Sequence, residues 1–233
     1  LPNEIIIADD GSLPDTKKVI FQFRDKTQVN IIHIWQKDNG FRAARSRNNA
    51  INEASGEYIV LIDGDMILHN RFIQDHIKNA ERGFFVQGSR VLLTKAKTIK
   101  VIQQQQVNLN FLSIGLKNRK NAIYSRILSN FFYKKKNYLS SIKSCNLAFF
   151  KQDCIDVNGF NNLFEGWGRE DSEFVIRLMN NNIQRKTIHF NAIQFHLWHH
   201  ENPRISLEQN DALLNHAIKN KSKFCNDGIN KFF

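Results

Sequence analysis

Short aliphatic runs that stop at acidic turns recur along this 233-residue chain. Glu4 to Ala8 runs into Asp9-Asp10-Gly11-Ser12, and Tyr58 to Ile62 runs into Asp63-Gly64-Asp65. Unbroken apolar runs of this length suit strands buried on both faces, as in the centre of a parallel sheet. Residues 13–26 predict a helix and Ile31 to Trp35 the next strand. Ala43, Arg47, Ala50, Ile51 and Ala54 then fall on one helical face, with Gly56 as a C-terminal stop. Further on, residues 70–82 predict a helix, Phe84 to Leu93 a strand broken near Gly88, and Ser144 to Phe150 another strand. A helix begins near Glu170 and carries Phe174, Ile176, Arg177 and Leu178. Phe190 to His196 predicts a last strand, and Ser206 to Lys221 a final helix. Strands alternating with helices predict an α/β fold built on a wound, mostly parallel sheet.

Residues 95–143 are the least regular part. They hold a glutamine run, Gln103 to Gln106, and bases including Arg126 and Lys134-Lys135-Lys136, interleaved with Ile127, Leu128, Phe131, Phe132 and Tyr133. This predicts an amphipathic helix with a solvated basic face, or a patch that touches anionic lipid headgroups.

Composition narrows the class. With 42% hydrophobic and 24% charged residues the chain is that of a soluble globular protein, and no stretch reaches the roughly 20 apolar residues of a membrane span. Cys145, Cys154 and Cys225 are odd in number and irregular in spacing, which fits a reducing compartment and lacks zinc-ligand pairing. The net charge of +11 implies acidic partners: nucleic acid, an anionic membrane surface or phosphorylated substrates. Charge alone does not choose among them.

The chemistry gathers at the acidic turns. The carboxyl end of such a strand is where open α/β sheets bind ligands. Residues i and i+2 of an extended segment point the same way, so Asp63 and Asp65 can converge on a divalent cation that bridges phosphates. Read blandly, the same residues are ordinary turn formers. Glu170 and Asp171 likewise suit the first turn of a helix through its dipole.

Taken in order, Asp9-Asp10-Gly11-Ser12, the Arg-rich segment 42–47, Asp63-Gly64-Asp65 and Gly166-Trp167-Gly168-Arg169-Glu170-Asp171 carry a resemblance over nearly the whole length. The chain resembles a family 2 glycosyltransferase of the GT-A fold: Rossmann-like, with a mostly parallel central sheet flanked by helices. Its Trp-Gly-x-Glu-Asp stretch is similar to those of β-1,4-galactosyltransferases, polypeptide N-acetylgalactosaminyltransferases and chondroitin-polymerase-type enzymes. The resemblance implies that Asp9 and Asp10 hold the uracil and ribose of a UDP-sugar and that Arg45 lies near the nucleotide. It implies Asp63 near the ribose and metal, Asp65 on the metal, and His196 completing the metal site, with His199 or His200 as substitutes. The ion implied is Mn²⁺, or Mg²⁺, which prefers oxygen and water to imidazole. Asp171 is implied as the general base of an inverting displacement, Glu170 as a holder of an acceptor hydroxyl, and Trp167 as an apolar platform for a sugar ring. Asn146 joins the substrate contacts.

The expectation is therefore one GT-A domain over residues 1–233, its nucleotide half at 1–94 and its acceptor half at 95–233. Relatives open with a further strand and turn, so a segment before Leu1 is expected. The expected activity moves a hexose or N-acetylhexosamine from a UDP-sugar to a saccharide or lipid-linked acceptor in bacterial surface polysaccharide or lipooligosaccharide synthesis. The expected location is cytoplasmic, with the basic surface on the inner face of the plasma membrane. Two readings compete. A non-catalytic sugar-binding relative would bind without metal-dependent turnover. A basic nucleic-acid-binding protein would lose affinity steeply with salt, although the bases are dispersed and no nucleic-acid motif is present.

Overall fold

Every run that ends in an acidic turn is a strand. The computed structural model describes residues 1–232. In chain order its elements are β1 (Glu4–Asp9), α1 (Pro14–Arg24), β2 (Asn30–Trp35), α2 (Ala43–Glu53), β3 (Tyr58–Leu61), β4 (Met66–Leu68), α3 (Phe72–Asn79), β5 (Phe84–Gln87), β6 (Val91–Leu93) and α4 (Lys95–Gln104). There follow β7 (Leu116–Lys117), α5 (Arg126–Phe131), β8 (Lys134–Lys135), β9 (Leu147–Phe150), α6 (Lys151–Asp156), α7 (Glu170–Asn180), β10 (Gln184–Thr187), β11 (Gln194–His196) and α8 (Leu207–Lys219). This is the α/β architecture expected.

The chain divides into two compact units that interleave along the sequence. One comprises residues 1–59, 150–182 and 202–232; the other comprises 60–149 and 183–201.

In the first unit β1 pairs in parallel with β2, Glu4 opposite Asn30 and Asp9 opposite Trp35. Helix α2 packs on β1 and β2, and α7 packs on α8. The buried face of α2 differs from the one expected. Ala44, Ser46, Asn48 and Ile51 are buried, while Arg47 lies at the margin and turns toward Glu170. A polar residue takes a core position because its bonds are met: Asn48 Nδ2 donates to the Phe160 carbonyl at 2.7 Å, and Asn48 Oδ1 accepts from the Phe160 N–H at 2.8 Å. Phe160 stacks on Phe174 of α7 with centroids 4.3 Å apart, both rings fully buried. Each such side chain contributes about 1.5–3 kcal/mol of apolar burial. Below them Arg177 forms two bonds to Glu173, of 2.8 and 2.7 Å, with both side chains out of solvent.

The second unit contains mixed sheets, not a mostly parallel one. In the order β3-β9-β5-β10-β8, β5 and β10 are parallel, while β9 and β8 add antiparallel. In the order β4-β11-β6-β7, β11 is parallel to β6 and antiparallel to β4, and β7 adds antiparallel to β6. The antiparallel members β4, β7 and β8 are only two or three residues long, too short for an alternation to show in sequence. Strand β10 was not expected at all, because Gln184-Arg185-Lys186-Thr187 reads as polar, yet Arg185 and Lys186 are buried within the sheet. Segment 95–143, the least regular part of the sequence, holds two helices, α4 and α5, two short strands, β7 and β8, and a 3₁₀ turn over 119–122, joined by loops. Among the described residues no helix is long and apolar enough to cross a membrane.

Candidate active site

Two side-chain clusters carry the chemistry, one in each unit. In the second unit, β3 ends at Leu61, the turn 62–65 follows, and β4 pairs with β11 so that Met66 faces His196. That pairing brings the turn beside the end of β11, and the Leu197 N–H donates to the Asp65 carbonyl at 3.0 Å. Asp65 Oδ2 lies 3.1 Å from His196 Nε2 and 3.1 Å from His199 Nε2. The ligating atoms of the three residues all fall within 4.8 Å of one another. The other carboxylate oxygen, Asp65 Oδ1, is buried with no hydrogen-bond partner. Burial alone would raise the Asp65 carboxyl, but the His196 bond and the His196 and His199 charges bring it below its ordinary value.

An orphaned buried carboxylate oxygen beside two convergent imidazoles fits a divalent cation, because an ion would supply the partner that oxygen lacks. Two nitrogen donors and one oxygen donor suit Mn²⁺ better than Mg²⁺. The structure brings together Asp65 and His196 and adds His199, while Asp63 lies outside this close set. The i, i+3 spacing of His196 and His199 at a strand end is the signal that marks the second imidazole. Asn146 is fully buried in this unit. Its amide pairs with His76 Nε2 at 2.8 Å and donates to the Ser89 and Ala192 carbonyls at 2.7 and 3.0 Å, so it ties three segments together from inside the core.

In the first unit, the segment 164–171 is shaped by two glycines at positive φ. Gly166 has φ +70°, and a Cβ there would collide with the Ser206 side chain; Gly168 has φ +107°. Between them Trp167 stands 40% exposed, with the Arg204 guanidinium 5.0 Å from its ring centre. Simple core packing, the bland reading of this residue, does not describe it. Asn210 of α8 secures the loop by donating to the Glu165 carbonyl at 3.1 Å, and Arg169 is paired with Asp211.

Glu170 and Asp171 then open α7. Arg47 Nη1 lies 2.9 Å from Glu170 Oε1, with both side chains largely shielded. Asp171 accepts from the Ser172 hydroxyl at 3.1 Å. Burial and then the adjacent Glu170 charge push its carboxyl up to about 6, against a pull downward from Arg47. A carboxylate that ionises near neutrality is suited to taking and releasing a proton.

The β1 turn is more committed. Asp9 is buried; its Oδ1 accepts from the Ser12 N–H at 2.8 Å, and its Oδ2 lies 2.7 Å from His33 Nε2. Asp10 accepts from the Gln36 amide and from the Arg42 N–H. These bonds shape the turn and leave each carboxylate part of its accepting capacity. Arg45 is on the exposed side of α2.

Comparison with known proteins gives this geometry a family. The family model described as glycosyl transferase family 2 matches residues 1–140, and that described as the N-terminal domain of galactosyltransferase matches residues 124–201. Similar curated proteins include a hyaluronan synthase of Pasteurella multocida, 27% identical over 80% of this chain and 21% of that protein. A chondroitin synthase of Escherichia coli is 25% identical over 86% of this chain and 30% of that protein. The chain thus spans less than a third of either relative's length.

Among solved structures, residues 1–349 of S. aureus TarS in complex with UDP superpose with a TM-score of 0.62 at 14% identity, covering 94% of this chain and 58% of that one. GalNAc-T7 with UDP, GalNAc and Mn²⁺ gives 0.60 at 9% identity, over 85% of this chain and 38% of that one. These likenesses establish the GT-A fold. With more than half of its residues matched by the family model, the chain belongs to glycosyl transferase family 2.

Proposed function

We propose that this chain is an inverting, metal-dependent glycosyltransferase domain that moves a hexose or N-acetylhexosamine from a UDP-sugar to a saccharide acceptor in bacterial surface polysaccharide synthesis. The observation that carries the reading is the Asp65, His196 and His199 set, with its unpartnered buried oxygen at the end of β3. Those three residues would hold the cation, and Asp63 would lie toward the ribose. A bound divalent cation would offset the charge of the diphosphate leaving group.

The remaining roles fall to the chain's own groups. Asp171 takes the proton from the acceptor hydroxyl as that oxygen attacks the anomeric carbon. Arg47 orients the Glu170 carboxylate, and Glu170 holds a second acceptor hydroxyl. Trp167 offers a ring face between glycines that let a sugar approach closely. Asp9 and Asp10 hold the β1 turn in shape and present their remaining lone pairs to the uracil N3–H and the ribose.

The synthases and transferases similar to this chain support the polysaccharide setting. Exposed Ile127 and Phe131, one turn apart on α5 and followed by Lys134 to Lys136, support contact with an anionic membrane surface near a lipid-linked acceptor.

The test is a titration of UDP with and without Mn²⁺, repeated on Asp65→Ala. Metal-dependent binding that the substitution abolishes is the expected result. UDP binding indifferent to both metal and substitution would overturn the proposal.

A further inference from the structure

The second unit holds a cavity of about 400 Å³ that the roles above do not use. Its size falls within the range of about 300–1,000 Å³ typical of small-molecule sites. Its lining includes Arg90, Lys143, Arg185 and His189, and no aspartate or glutamate. Among the described residues no carboxylate pairs with Arg90, Lys143 or Arg185. Arg90 Nη1 has only the soft Cys145 sulfur at 3.8 Å, and Arg185 Nη1 bonds to two backbone carbonyls. Arg185 is 99% buried, since its residual exposure is 1%, and its Nε has no partner. Burial first, and then the charges of Lys134 and Arg185, hold the His189 imidazole below its ordinary value.

Neighbouring side chains fix the backbone that carries Arg90 and Lys143. The Arg90 carbonyl accepts from Asn118 Nδ2 and Asn121 Nδ2, both at 3.0 Å. The Gln87 amide brackets the Lys143 peptide, accepting from its N–H and donating to its carbonyl, both at 3.1 Å. The cavity also sits close to the candidate metal set. Leu92 lines it and is the register partner of His196 on the adjacent parallel strand, so the two side chains share a sheet face. Cys145 feels both neighbourhoods: after burial, the Asp63 charge raises its thiol and the Arg90 charge lowers it.

A concave, preorganised site with several cations and no counter-charge is built for an anion. We propose that this cavity binds an anionic group carried by a saccharide, with Arg90 and Lys143 as its contacts and Arg185 as the buried source of field. The proposal rests on the glycosyltransferase reading and specifies its acceptor class: sugars bearing a carboxylate or a phosphate.

Calorimetric titrations in saturating UDP and Mn²⁺ test it, using cellobiouronic acid against cellobiose and glucose 6-phosphate against glucose. The charged member of one or both pairs is expected to bind at least about tenfold more tightly than its neutral twin. The preference should vanish in the double variant Arg90→Gln, Lys143→Gln, whose UDP affinity and unfolding midpoint should stay unchanged. Preference for the uronate assigns a carboxylate; preference for the sugar phosphate assigns a phosphate. Equal binding within both pairs by the unsubstituted protein overturns the proposal, whatever the variant does. So does displacement of the bound anion by UDP, which would give the cavity to the donor diphosphate. The UDP titration is read independently, so loss of UDP binding would mark failure of the transferase reading and leave the anion result intact.

Discussion

Replacing Asp171 with asparagine should abolish transfer and at the same time stabilise the protein. The carboxyl ionises near 6 in the folded chain instead of near its ordinary 3.8, because burial and the Glu170 charge disfavour the anion. The folded state therefore holds this proton more tightly than the unfolded state does. That preference stabilises the fold fully below about pH 3.8 and is lost as pH rises through 6. Above 6 the fold carries an unfavourable charge that an isosteric amide would remove. The difference between the two ionisation points corresponds to a ceiling of about 3 kcal/mol, and the residue's partial exposure to solvent reduces it to roughly 1–3 kcal/mol. Urea unfolding of both proteins at pH 7.5, 6 and 4 measures it. Asp171→Asn should be the more stable at 7.5, by less at 6, and by nothing at 4. Transfer at pH 7.5 should fall by about 10²–10⁴-fold, since no carboxylate remains to accept the proton, and the gap should narrow below pH 6 as Asp171 itself becomes protonated. The unsubstituted enzyme should lose activity as pH falls through 6. A stability difference of the same size at all three pH values would refute the burial argument. A rate loss under about tenfold would refute the assignment of the base.

Other substitutions probe the remaining geometry. His199→Ala should raise the Mn²⁺ concentration needed for half-maximal UDP binding by about 10-fold or more, and equal metal dependence would remove His199 from the ligand set. Trp167→Ala should weaken acceptor affinity by about 1–2 kcal/mol while leaving UDP affinity unchanged, read from separate titrations of the two ligands. Glu173→Gln breaks a shielded two-bond pair and leaves Arg177 short of a counter-charge, so guanidinium unfolding should register a loss of about 3–5 kcal/mol. Replacing both partners by Met and Leu should recover most of that loss.

Legibility in the sequence followed chemistry more closely than position. β1 and β3 announce themselves because each is an aliphatic run cut off by carboxylates, and α7 because its acidic first turn suits the helix dipole. Strand β10 was illegible for the opposite reason. Arg185 is satisfied by carbonyls contributed from residues 138 and 140, a tertiary fact that no local pattern encodes. The same holds for α2, where Asn48 is buried because residues about 110 positions later meet its amide, while Arg47 is drawn outward by Glu170. Strand geometry singled out Asp65 and the family resemblance singled out His196, and the two side chains stand 3.1 Å apart. The second imidazole was visible only as an alternative, since choosing among His196, His199 and His200 depends on how the chain leaves β11. Asn146, expected among the substrate contacts, has its amide engaged in three internal bonds that no local pattern shows.

The interleaving of the two units has a consequence for how the protein is made. The loop bearing Trp167 and the start of α7 are secured by Asn210 and Asp211, and the turn at Asn158 is closed by the carbonyl of Cys225 and the side chain of Asn230. During synthesis, Glu170 and Asp171 leave the ribosome some forty residues before the side chains that fix their surroundings. A nascent chain stalled near residue 200 would carry Glu170 and Asp171 without Asn210 and Asp211, the side chains that secure the adjoining loop.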